Sequence, residues 1–303
     1  MRNNKQNRFI VLMYHKVGGG SDFLPALDTK IFRRQISFLK RFYDIVSLED
    51  IFSPSSNGSR KTKAIITFDD GYKSIFKHAY PVLKKYNIPA TVFLTANSIE
   101  KNTPIWPDLA SHYIQVTKEK SVDLEVKNSK VSFSLDSIED KIKAVNEIKD
   151  LLKRVPNDER VVLLHKLKYD LEADDNVEDE LSMLSWDEIR EMSKNRISFG
   201  GHTLSHPILS NLSLQEARNE LVESKRIIED RLNVPVYSFA YPNGQKDDFN
   251  DGIKNMLAES GYKVACTTIF GKNNKNTNPL EIRRIYTSGN SLLKFAWRLR
   301  KAQ

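Results

Sequence analysis

Residues 64–72 read Ala64-Ile65-Ile66-Thr67-Phe68-Asp69-Asp70-Gly71-Tyr72. A short run of apolar, β-branched and aromatic residues ends directly in two carboxylates and a glycine. Such a run, bounded by a turn residue, reads as a strand buried on both faces, the kind that parallel sheets contain. In parallel α/β folds, ligands gather at the carboxyl ends of the strands. Two adjacent carboxylates there repel each other, and a cation relieves that cost. By itself an Asp-Asp-Gly turn is common, so its meaning depends on what surrounds it.

Working outward, similar apolar runs occur at residues 9–14, 90–94, 197–199, 236–240 and 263–267. Helical patterns lie between them. Residues 29–42 place Ile31, Phe32, Ile36, Leu39 and Phe42 near one face, and 74–86, 214–232 and 250–260 read similarly, the last closed by Gly261. Strands alternating with helices predict an α/β fold with a parallel sheet. Residues 100–182 break the rhythm. They are highly charged, have helical stretches at 138–155 and 158–171, and end in an acidic run at 172–180. We expect them to form an insertion or lid within a single catalytic domain spanning 1–303. Residues 53–61 read as a polar loop.

Two more segments carry chemistry. In Gly200-Gly201-His202-Thr203-Leu204-Ser205-His206-Pro207 two histidines stand four apart just past a strand. Imidazole suits zinc and its neighbours, and a carboxylate supplies charge. The glycines and Pro207 predict a loop rather than a helix. Phe239-Ala240-Tyr241-Pro242-Asn243-Gly244 also follows a strand, and such a turn can aim a backbone N–H at a developing oxyanion. The bland alternatives are solvated loop histidines and a plain Pro-Asn-Gly turn.

Bulk properties narrow the classes. The chain has 303 residues, 40% apolar and 28% charged, ordinary for a globular protein. Forty-seven basic and 39 acidic residues give +8. That excess suits anionic lipid, nucleic acid or an acidic glycan, although general surface charge is the simpler reading. No nucleic-acid motif is present. Cys266 is the single cysteine, so no intrachain disulfide forms, and its strand context makes it a small buried hydrophobe. The apolar run at 9–14 is too short for a signal-peptide core, and no run approaches the ~20 apolar residues of a membrane span. The expected location is the cytoplasm. Residues 291–302 read as a basic amphipathic helix, with Leu292, Phe295, Ala296 and Leu299 on one face. That face either packs on the fold or rests on the inner face of a membrane.

Taken in order, the carboxylate pair, the histidine pair and the Pro-Asn-Gly turn resemble the polysaccharide deacetylases of carbohydrate esterase family 4. Leu184-Ser185-Trp186-Asp187-Glu188-Ile189 is also similar. The resemblance covers about 9–100 and 182–287. It implies a distorted (β/α) barrel with fewer than eight repeats, here carrying an inserted, mostly helical segment. It implies a hydrolase that removes acetyl groups from N-acetylated sugars of a polysaccharide, oligosaccharide or lipid-linked glycan. Asp69 matches the general base; Asp70, His202 and His206 match the ligands of a divalent metal, with zinc expected. Asn243 matches the residue whose backbone N–H meets the oxyanion, and Thr203 braces the histidine loop.

Two positions depart from the family pattern. The arginine that orients the base falls on Ala240, with Arg283 or Arg284 as substitutes. The C-terminal Leu-x-His is absent, since no histidine follows His206. Leu12-Met13-Tyr14-His15-Lys16-Val17 resembles the circularly permuted branch that includes poly-N-acetylglucosamine deacetylases, which makes His15 the candidate general acid. The competing readings are a catalytically silent glycan-binding relative and a metal hydrolase of small amides. His78, His112 and His165 receive no role.

Overall fold

A computed structural model describes residues 8–51, 61–126, 129–174, 177, 181–287, 289 and 291–302. Most of the expected polar loop at 53–61 and residues 175, 176 and 178–180 of the acidic run lie outside the described residues. Strands and helices alternate through β1 (Arg8–Tyr14), α1 (Thr29–Phe42), β2 (Asp44–Ile45), β3 (Lys63–Phe68), α2 (Tyr80–Tyr86), β4 (Ala90–Leu94) and α3 (Ala96–Lys101). The inserted segment follows, with α4 (Trp106–Val116), the antiparallel pair β5 (Ser121–Val126) and β6 (Ser129–Ser134), α5 (Ile138–Lys153) and α6 (Asn157–Asp170). Alternation resumes with α7 (Trp186–Ser193), β7 (Ile197–Gly201), α8 (Leu214–Leu232), β8 (Ser238–Ala240) and α9 (Asp251–Glu259). The last elements are β9 (Val264–Phe270), β10 (Asn273–Asn274), β11 (Ile282–Tyr286) and α10 (Leu292–Lys301).

Among the described residues, β1, β3, β4, β7, β8, β9 and β11 pair in parallel, each with the next, and β11 returns to β1. The result is a closed seven-stranded (β/α) barrel, short of eight repeats as expected. Strand side chains alternate between the interior and the helix ring, so a strand covered on both sides needs apolar residues at nearly every position. Accordingly β1 is buried from Phe9 to Tyr14 and β3 from Ala64 to Phe68. Helix α1 shows the complementary rule. Asp28 caps its first turn, and Phe32, Gln35, Ile36 and Leu39 bury one stripe. Phe42 leaves that stripe. It lies 52% exposed at the helix end, against the ring of Phe38.

Three local features differ from the sequence reading. The expected helix at 74–86 opens as a wider turn at Ile75–Ala79 before α2, because Pro81 lacks the N–H an α-helical ladder needs. Gly200 and Gly201 end β7 instead of belonging to a loop. A Cβ at Gly200 would lie 2.7 Å from the Ser238 carbonyl oxygen, and one at Gly201 2.5 Å from the Tyr262 hydroxyl, so the glycines let neighbouring elements approach. The inserted segment is mostly helical but also contains the β5–β6 pair. It has its own apolar core, including Leu109, Phe133, Ile148, Leu152 and Leu167, within residues 106–171. Residues 100–105 belong with the barrel, since Ile99 and Ile105 join its core.

Helix α10 packs the face first considered for a membrane. Phe295 and Leu299 are buried in the barrel core, and the Phe295 ring meets Phe38 of α1 edge-on at 6.0 Å. Leu293 and Trp297, on another face, are 84% and 60% exposed. No described helix is long and apolar enough to cross a membrane.

Candidate active site

The site residues sit where β1, β3, β7, β8 and β11 end. Backbone conformation marks the place. Among the described non-glycine residues, Asp70, Thr203, His206 and Asn243 adopt φ values of 72°, 67°, 59° and 59°. Left-handed backbone costs an L-residue roughly 1–2 kcal/mol. Elsewhere the same conformation occurs at Asn87, Asn102 and Asn233, where it ends a helix and suits asparagine, and at Glu172 and Arg196. At the site it falls on residues whose side chains carry the chemistry, which is where stored strain collects. Thr203 braces the loop as expected: its hydroxyl accepts from the His206 N–H at 3.0 Å.

Asp70, His202 and His206 converge. One ligand atom from each lies within 4.8 Å of the others. Asp70 Oδ1 is 3.3 Å from His202 Nε2 and 3.4 Å from His206 Nε2. Atoms bound about 2.0–2.1 Å from a tetrahedral metal are spaced roughly 3.3–3.4 Å apart. Among the described residues Asp70 Oδ1 is also buried without a hydrogen bond, and a cation would satisfy it. His202 Nδ1 lies 2.7 Å from the Ala240 carbonyl oxygen. A carbonyl only accepts, so Nδ1 holds the proton, and in the neutral ring this leaves the Nε2 lone pair for a metal, the usual support of a metal-binding histidine. Burial, foremost, pushes the His206 pKa down to about 3, which keeps its ring neutral. Burial opposes ionisation of Asp70, but the imidazoles of His202, His15 and His206 around it outweigh it and hold the carboxyl below its usual range. The residues present therefore fit a divalent metal.

Asp69 is held separately. The guanidinium of Arg284 grips it with both forks, at 2.6 Å to Oδ1 and 2.7 Å to Oδ2. Arg284 is itself buried and donates Nε to the Thr267 carbonyl. Burial works against the Asp69 charge, but Arg284 overcomes it, so the carboxylate is ionised at neutral pH. Of the two arginines named as substitutes, Arg284 on the inward side of β11 meets Asp69, whereas Arg283 is exposed. His15, just past β1, places Nε2 3.9 Å from Asp69 Oδ2 with about a third of its side chain exposed. Its ring meets Tyr286 edge-on. Asn243 lines the same cleft; its side chain donates to Asp248 at 2.6 Å, and its backbone N–H makes no hydrogen bond among the described residues.

A cleft of about 350 Å³ joins His15, Asp69, Asp70, His202, His206 and Asn243. Its far wall comes from the inserted segment, which the sequence reading expected as an insertion or lid without naming any site residue in it. Trp106 Nε1 donates to the His206 carbonyl at 2.9 Å. Asp108 accepts from Tyr72 at 2.5 Å and from Lys16 at 2.7 Å. Lys149 and Lys153 of α5 line the same wall. The only sequence signal for these contacts was the position of Tyr72 and Lys16 beside recognised motifs. His78, His112 and His165 do not line this cleft, and Cys266 is fully buried.

Comparison with known proteins gives a consistent picture. The protein YxkH of Bacillus subtilis (strain 168), named as a polysaccharide deacetylase, is 20% identical over 95% of this chain and 74% of its own length. A poly-beta-1,6-N-acetyl-D-glucosamine N-deacetylase of Staphylococcus epidermidis is 32% identical, over only 31% of this chain and 38% of that enzyme. The solved deacetylase PplD of Streptococcus pyogenes, in complex with acetate, superposes with a TM-score of 0.65 at 20% identity, covering 98% of each chain. IcaB from Ammonifex degensii superposes at 0.61 with 18% identity, over 96% of this chain and 97% of its own. The family model for polysaccharide deacetylase matches residues 56–265, more than two thirds of the length, and the chain belongs to the polysaccharide deacetylase family.

Proposed function

We propose that this protein hydrolyses the acetamido group of an N-acetylated sugar within a glycan, releasing acetate and a free amine. One observation carries the reading. A carboxylate and two imidazoles at tetrahedral spacing stand beside a second carboxylate kept ionised by a buried arginine, in an open cleft. One carboxylate with two histidine nitrogens is a donor set that suits zinc and leaves a position open for water. Asp70, His202 and His206 would hold the metal, which would supply Lewis acidity toward a water and the acetyl carbonyl. Asp69 takes the water's proton, and Arg284 fixes the carboxylate in place. The Asn243 N–H donates to the oxyanion that develops on the acetyl oxygen. His15 gives a proton to the departing amine. Ala240 and the missing C-terminal histidine were the features that favoured a silent binding relative. With Arg284 on Asp69 and His15 lining the cleft, neither favours it now.

The test is acetate release from N-acetylglucosamine oligomers by protein stripped with chelator and reloaded with zinc, manganese, cobalt or nickel. The expected result is stoichiometric acetate and amine, dependent on metal. Metal-loaded protein that forms no amine from any N-acetylated glycan tried would overturn the proposal.

A further inference from the structure

Three lysines and three carboxylates line the cleft, and Arg284, behind Asp69, adds one further cation. Asp69 is answered by Arg284 and Asp108 by Lys16 and the Tyr72 hydroxyl, while Asp70 faces the candidate metal site with the two histidines. Lys16 is correspondingly occupied. That leaves Lys149 and Lys153, one helical turn apart on α5 and therefore on the same face. Lys153 touches Asp150 at 3.3 Å, but that pair is largely exposed and worth little. Lys149 is partly buried and, among the described residues, makes no ion pair or hydrogen bond. Burial, with the nearby charges of Lys16 and Lys153, pushes its pKa down, against the pull of Asp108. A partly desolvated ammonium without a partner is an unfavourable arrangement for a folded protein to keep unless something answers it.

We propose that Lys149 and Lys153 form an anion-binding subsite of the catalytic cleft, so that the substrate is an acidic glycan bearing a carboxylate or phosphate near the acetamido group. This rests on the deacetylase reading and specifies its substrate class. An uncharged polymer of N-acetylglucosamine fits such a cleft poorly, because each deacetylation adds an ammonium that the lysines repel. An acidic glycan keeps its attraction as amines accumulate. The lysines come from the inserted segment and the metal site from the barrel, so selection and chemistry sit on different parts of the chain.

The experiment compares three probes on zinc-loaded protein: an N-acetylglucosamine oligomer, N-acetylglucosamine 6-phosphate and N-acetylmuramic acid, the last carrying a carboxylate. Acetate release and calorimetric binding are both read. We expect an acidic probe to be preferred roughly tenfold or more at low salt, as a charge-assisted hydrogen bond implies, with the preference shrinking as salt rises. The two acidic probes show which anion fits. Lys149→Met and Lys153→Met should bring the acidic-to-neutral ratio toward one, and Lys149→Arg should restore it. Equal handling of acidic and neutral probes by the wild type would overturn the subsite. So would a preference that survives in the double methionine variant, since the anion would then be meeting the metal. If no probe releases acetate but the lysine-dependent binding preference persists, the subsite stands and the hydrolase reading falls.

Discussion

The barrel and the inserted segment treat charge in opposite ways. At the barrel's strand ends Asp69 and Arg284 hold each other in full burial, and Asp70 stands between two imidazoles as a candidate metal ligand. Across the cleft, the segment at 106–171 presents a lysine whose ammonium has no partner among the described residues, from a helix that rests on a separate core. A group that must be in one protonation state at every turnover is fixed by its neighbours. A group that meets whatever substrate arrives is left open. The contrast separates residues that should alter every reaction from residues that should alter only the choice of substrate.

The strongest way to break the contrast is at the metal ligands. Replacing His202 and His206 with alanine should lower metal retention by more than roughly 100-fold, since even the supporting shell of such sites is worth 10–100-fold. Turnover should fall to background on every probe, measured by elemental analysis beside acetate release. Asp69→Asn should instead keep the metal and reduce kcat by about 10²–10⁴, the usual weight of a general base. Loss of metal in that variant would make Asp69 a ligand.

Arg284→Met tests whether the buried pair is structural as well as catalytic. Stranding Asp69 should cost about 3–5 kcal/mol in denaturant unfolding. The Asp69 pKa, depressed by Arg284, should rise in the variant, so the acid limb of the pH–rate profile should move to higher pH. In the wild type the depressed carboxyl contributes stability above its unfolded pKa of about 3.9. That contribution is lost only as pH falls through the lower folded value. His15→Gln should spare metal binding and lower turnover by roughly 10²-fold; a wild-type rate would remove His15 from the mechanism. The smallest expected effects sharpen the view of α10. Phe295→Ala should destabilise by about 3 kcal/mol, whereas Leu293→Ala should stay within about 0.5 kcal/mol, as an exposed change does.

What was legible in the sequence was local. Asp69-Asp70-Gly71 and the histidine pair each lie within one strand end, so their spacing already carried their geometry. The base's partner is 215 residues away. Adjacent residues on a strand point to opposite sides, so Arg283 and Arg284 could be told apart only by the register of β11 against β9 and β1. Gly200 and Gly201 looked like loop residues because their role is to admit Ser238 and Tyr262 from distant elements. The lysines of α5 were hidden for the same reason. In a helix rich in charge, nothing in the order of residues says which ones face a cleft built by another part of the chain.

Barrel closure has a consequence for synthesis. All three metal-binding side chains have been made once residue 206 is in place, and β1 and β3 can already pair. Until β11 slides between β9 and β1, however, two strand edges stay open and Asp69 has no cation beside it. A chain stopped short of residue 284 could capture metal yet lack an oriented base. The cation that orients Asp69 thus arrives with the final barrel strand.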